Sequence, residues 1–140
     1  MNSKSIRAIF WAMVAVFIII ICAMFVRIPL DESLPLGYIF LPGIAVLFLL
    51  GVALIVATVK RKVEGKFKQL LLLTGASAVG LPVFVVFHNV VSGLFNVEEA
   101  VFFILATIVC PLGFLVGAIS TIVLTVKSRE LRADASKGVR

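Results

Sequence analysis

The stretch "LLLTGASAVGLPVFVVFHNVVSGLF", Leu71–Phe95, decides the fold class. Its 25 residues hold one ionisable side chain, His88. An α-helix needs about 20 apolar residues to cross a hydrocarbon core about 30 Å thick, and this run exceeds that length. The alternation of polar and apolar residues expected of a barrel strand is absent. Before and after it, three further runs of the same kind occur, so helices are expected at 8–26, 38–59, 70–94 and 101–126. Hydrophobic residues make up 62% of the chain against 14% charged, with a mean hydropathy of +1.23. That composition leaves too little polar surface for a water-soluble domain. The expected fold is therefore an all-α integral membrane protein: one domain, 1–140, built as a four-helix transmembrane bundle of two helical hairpins, with a tail at 127–140.

The first run follows Lys4 and Arg7 and superficially resembles a secretory signal. At about 19 residues it is longer than the 7 to 15 typical of a signal core, and "VRIPLDES" after it lacks a small-x-small cleavage site. It is expected to remain as the first span.

Lysine and arginine give the orientation. Two precede helix 1 (Lys4, Arg7), and five lie between helices 2 and 3 (Lys60, Arg61, Lys62, Lys66, Lys68). Five more follow helix 4 (Lys127, Arg129, Arg132, Lys137, Arg140), whereas the alternate side holds only Arg27. By the positive-inside rule, which applies to loops this short, both termini face the cytoplasm of a cell-membrane protein. Asp31, Glu32, Glu98 and Glu99 fall on the opposite side, so the net charge of +6 divides into +9 inside and −3 outside. Topology thus explains the basic balance without a nucleic-acid partner. The cluster Lys60, Arg61, Lys62, Lys66 and Lys68 is read as resting on anionic head groups, each cation contributing on the order of 1 kcal/mol. A docked cytoplasmic partner is the sharper reading, but the segment has no phosphate-cradling glycine loop.

Lipid is as apolar as leucine, so small residues must let helix backbones approach. Helix 4 carries a strict GxxxG at Gly113 and Gly117, extended through Ala106, Cys110, Ser120 and Thr121. Helix 3 offers Gly75, Ala76 and Gly80 as a counterpart, and the two faces are expected to meet as an antiparallel hairpin. The same motif would serve a homodimer. Pro82 and Pro111 lie inside helices 3 and 4, where each removes a backbone hydrogen bond, so kinks are expected there.

The candidate polar site is His88, Asn89 and Ser92. Counted from Leu70, His88 lies about 27 Å along the helix, near the outer edge of the hydrocarbon. Cys22 and Cys110 fall in the same outer half by the same count, which makes a thin polar layer conceivable. The simpler reading takes the histidine as an interfacial anchor and the cysteines as small hydrophobes. One His with two separated Cys has no metal-ligand spacing, so no metal or cofactor is expected.

Helices 3 and 4 are overlong for the bilayer, and "RIPLDESLPLGYIFLP" is too apolar for a solvated loop. An outer cap over the bundle is the expected result. Sliding the chain by 67 residues lays Asp31 and Glu32 on Glu98 and Glu99, and Thr58–Lys60 on Thr125–Lys127, a weak tandem repeat.

No Ser/His/Asp arrangement, paired intramembrane carboxylates or CxxC is present, so the minimum of nucleophile, base and orienting group cannot be assembled. The expected function is that of a non-enzymatic small membrane protein, a subunit or stabilising partner in an assembly. The alternative is a homo-oligomeric channel or small-solute transporter.

Overall fold

A computed structural model of the chain describes residues 4–25, 37–61, 63–95 and 100–137. Among them the architecture is all-helical. The elements are α1 (Lys4–Phe25), α2 (Gly37–Lys60), α3 (Gly65–Phe95), α4 (Ala100–Ile104), a π turn (Leu105–Val109) and α5 (Cys110–Lys137). Four stretches are long and apolar enough to cross a membrane: Lys4–Cys22, Pro42–Lys60, Gly65–Phe95 and Ala100–Leu131. Helix is the form these apolar runs adopt because it satisfies every interior backbone donor and acceptor within the segment, where hydrocarbon would offer no partner.

Three helices outrun their expected bounds, α1 by beginning at Lys4 rather than at 8. α3 begins at Gly65 rather than at 70, and α5 ends at Lys137 rather than at 126. Hydropathy marks where a chain can sit in hydrocarbon, whereas helicity continues wherever residues are good helix formers. "KFKQ" before α3's apolar run and "KSRELRADASK" after α5's contain neither proline nor glycine. At 31 residues α3 is about 46 Å long, well beyond a core of about 30 Å.

The turn between α2 and α3 is tight. Arg61 N–H donates to Ala57 O at 3.1 Å, closing the last turn of α2. Gly65 then takes a φ of +69°, a left-handed conformation that costs glycine little and reverses the chain into α3.

α3 is the central element, packed closely against α2 on one side and α5 on the other, while α1 packs against α2. The buried positions repeat at steps of four and three: Ile6, Phe10, Met13 and Phe17 on α1, and Leu47, Gly51, Leu54 and Thr58 on α2. This spacing keeps one narrow stripe of each helix facing inward and suits helices that run nearly antiparallel. α1 reaches α5 through large side chains, the rings of Phe17 and Phe114 stacking with centroids 4.0 Å apart. The other faces are apolar and exposed, among them Ile19, Leu49, Val86, Leu112 and Ile119. Such faces would be a liability in water and are the ordinary surface of a helix in lipid.

The π turn answers the question of how the chain accommodates Pro111. Proline cannot donate to the preceding turn, and its ring crowds the carbonyl of the residue four back. The backbone widens just before it: Cys110 N–H donates to Leu105 O, one residue further back than in an α-helix. The hydroxyl of Thr107 also donates to Phe103 O at 2.7 Å. Pro82, by contrast, lies within continuous α-helix.

The tandem repeat finds its two threonines in unlike settings. Thr58 is fully buried with no hydrogen-bond partner among the described residues, whereas Thr125 donates to Thr121 O at 2.7 Å. The acidic pairs of that repeat, Arg27, Lys62 and most of the expected outer cap lie outside the described residues.

Candidate functional site

Small residues set the closest approaches in the bundle. A Cβ added at Gly113 would stand 2.5 Å from Ser77 Oγ, and one added at Gly117 would meet Thr74 Oγ1, with Leu70 O at 3.1 Å. α5 therefore lays its two glycines against the hydroxyl-bearing face of α3. Thr121, one turn further, is buried and donates to Gly117 O at 2.8 Å. Gly80 also belongs here, since a Cβ on it would lie 3.0 Å from Cys110 Sγ.

Gly75 and Ala76 stand elsewhere. Gly75 faces α2: a Cβ on it would sit 2.8 Å from Ile55 Cγ1 and 3.2 Å from Gly51 O, and a Cβ on Gly51 would sit 3.1 Å from Gly75 O. Ala76 is exposed. Each helical step turns by about 100°, so a consecutive run of small residues cannot address one neighbour. Thr74 and Ser77 look at α5, Gly75 and Ala78 look at α2, and Ala76 looks outward.

At the other end of α3, His88 is half-buried, and its ring lies 5.5 Å from that of Phe103 with the planes inclined by 52°. Ser92, four residues on and therefore on the same face, has a buried hydroxyl oxygen with no hydrogen-bond partner among the described residues. Asn89 is exposed and turns its amide back onto its own helix, Nδ2 donating to Val85 O at 2.7 Å. The two cysteines do not join them. Cys22 is exposed, and Cys110 sits at Gly80, eight residues or about 12 Å below His88 along the helix. Among the described residues no three His, Cys, Asp or Glu side chains converge as metal ligands would.

The basic cluster is spread over a solvated edge. Lys60, Arg61, Lys66 and Lys68 are all exposed, and Arg61 Nη2 reaches Ser5 Oγ only at 3.5 Å, at the limit of hydrogen bonding.

No protein family, curated protein or solved structure matches the chain. The site must be read from its own chemistry.

The polar groups within the spans chiefly engage their own backbones: Thr74 bonds Leu70 O, Thr107 bonds Phe103 O, Thr121 bonds Gly117 O and Asn89 bonds Val85 O. These bonds occupy the hydroxyl protons of Thr74 and Thr121 at buried helix contacts, while Thr107 and Asn89 make theirs on exposed faces. Sequence reasoning missed Gly51, the partner of Gly75 across α2 and α3. The signal was a single glycine in the middle of "VLFLLGVALIV", with no second small residue four away. It also missed Thr58 and the Phe17–Phe114 stack, for which no local pattern exists.

Proposed function

We propose that this chain is a non-enzymatic, multi-pass protein of the cell membrane with both termini in the cytoplasm, acting as a subunit or stabilising partner in a membrane assembly. The supporting observation is the use made of the intramembrane polar groups. Four of them are bonded to carbonyls one turn back on their own helices. A catalytic or transport site needs convergent groups free to meet a substrate, and a helix-bonded hydroxyl is a packing device instead. The lipid bilayer is the first partner, with Lys60, Arg61, Lys62, Lys66 and Lys68 on anionic head groups at the cytoplasmic face. The second is another membrane protein, met through the exposed apolar faces.

Extraction with native lipids followed by mass determination tests this reading. A stoichiometric second membrane protein retained with the chain supports it. A defined homo-oligomer with no other protein would overturn it in favour of a channel or transporter.

A further inference from the structure

A groove opens between α1 and α5 at the basic end of the bundle, where the two helices are bridged by side chains rather than by close backbone contact. It is lined by Arg7, Trp11, Ile122, Thr125, Val126 and Arg129, with buried Phe10 at its floor. We propose that this groove binds one anionic phospholipid, the head-group phosphate held between Arg7 and Arg129 and an acyl chain lying along Trp11, Ile122 and Val126.

Charge complementarity carries the assignment. Arg7 and Arg129 line the groove from α1 and α5 respectively, and no hydrogen bond or ion pair with a described residue engages either of them. Arginine presents a planar fork of donors that fits phosphate oxygens in pairs, which a lysine cannot do. Thr125 does not compete for the phosphate, because its hydroxyl donates to Thr121 O. Beyond the arginines the lining turns apolar, with Trp11 53% exposed and set edge-on to Phe10 at 5.8 Å. Tryptophan at this level is the side chain that tolerates both head groups and hydrocarbon.

Size narrows the occupant further. The groove has a volume of about 80 Å³, which seats a short stretch of a single chain while the rest of the lipid lies along the outside of the bundle. A partner helix could not enter it, whereas a single methylene stem can. A soluble phosphate would match the arginines but leave the apolar lining unused. The site is separate from the lysine-rich edge of α2 and α3, which is exposed and diffuse. It rests on the membrane reading above and is independent of any subunit role.

Native mass spectrometry of the full chain in detergent containing equal phosphatidylglycerol and phosphatidylcholine tests the proposal. One phosphatidylglycerol should be retained per chain, and R7Q/R129Q should lower that retention about tenfold. K4Q/K127Q removes the same charge from the same two helices, outside the groove lining, and should leave it unchanged. Equal retention of both lipids, or equal losses in the two double variants, would overturn the site. Displacement by excess soluble glycerol phosphate would also overturn it, assigning the arginines to free phosphate. Should R7Q/R129Q lose its helical circular dichroism, wild-type chain is labelled with phosphatidylglycerol bearing a photoactivatable acyl chain. Label on the peptide holding Ile122 and Val126 supports the groove, and label confined to other helices refutes it. A failure of the membrane reading would be seen separately, as chain that does not float with lipid vesicles.

Discussion

Gly117 illustrates how much a single missing side chain can decide. Its Cα stands where any Cβ would strike Thr74, both at the hydroxyl and at the backbone nitrogen, 3.0 Å away. Gly117→Leu should therefore separate α5 from α3, at a cost of about 3 kcal/mol by the scale of overpacked cores. Ala76→Leu, the same enlargement at an exposed position of α3, should change stability by less than about 0.5 kcal/mol. Thermal unfolding in detergent at constant oligomeric mass checks both, and equal effects would contradict the packing described. Thr58 and Thr74 form a second contrast. Both are fully buried, but Thr74 donates to Leu70 O at 2.8 Å whereas Thr58 has no partner among the described residues. Replacing an unsatisfied buried hydroxyl by a methyl removes a desolvation penalty, so Thr58→Val should stabilise by about 1 kcal/mol. Thr74→Val loses a bond and should destabilise by a similar amount. A destabilised Thr58→Val would mean that the hydroxyl has a partner in the membrane.

Among the elements, α1 is held differently from the rest. α3 meets α2 and α5 through glycines and hydroxyls, at distances that only small residues permit. α1 instead presents Ile6, Phe10, Met13 and Phe17, and touches α5 through the Phe17–Phe114 stack. In water, truncating a buried phenylalanine costs about 3 to 5 kcal/mol, much of it lost transfer energy. Lipid removes most of that transfer term and leaves the cavity and the lost dispersion contacts. Phe114→Ala should accordingly cost only about 1 to 2 kcal/mol, below the aqueous figure. Its effect should be local, with faster amide exchange in α1 and little change in α3. Uniformly faster exchange would show that α1 is not separately attached. The groove between α1 and α5 follows from the same difference, since bulky side chains hold helices apart where glycines let them close.

For the whole molecule, charge and packing address separate questions. The ends of α1 and α5 bearing Lys4, Arg7, Lys127 and Arg129 lie at the same end of the bundle as the α2–α3 turn. Which side of the cell that is would follow from the lysines and arginines, since by the positive-inside rule the end that carries them faces the cytoplasm. Cysteine introduced at Ser33 should react with an impermeant thiol reagent applied from outside, and cysteine at Ser136 should not, in a Cys22→Ser and Cys110→Ser background. Labelling in the opposite pattern would invert the protein in the membrane.

It was legible in the sequence alone that the chain is helical, that four of its helices are long and apolar enough to cross a membrane, and that the glycines of α5 belong to a close helix contact. These properties are set locally, by run length against bilayer thickness and by side-chain size at steps of four. The number of helices needed no knowledge of neighbours. Tertiary structure alone decided which face each small residue serves. Gly75, Ala76 and Ser77 are adjacent in sequence yet look respectively at α2, outward and at α5, because each residue turns the helix by about 100°. No composition argument fixes the zero of that rotation. It is set only when α2 and α5 both dock, and Gly51 became legible only once Gly75 lay across from it. The candidate polar site divided the same way: His88 and Ser92 share a face by their spacing, while Cys22 and Cys110 were excluded by where their helices came to rest.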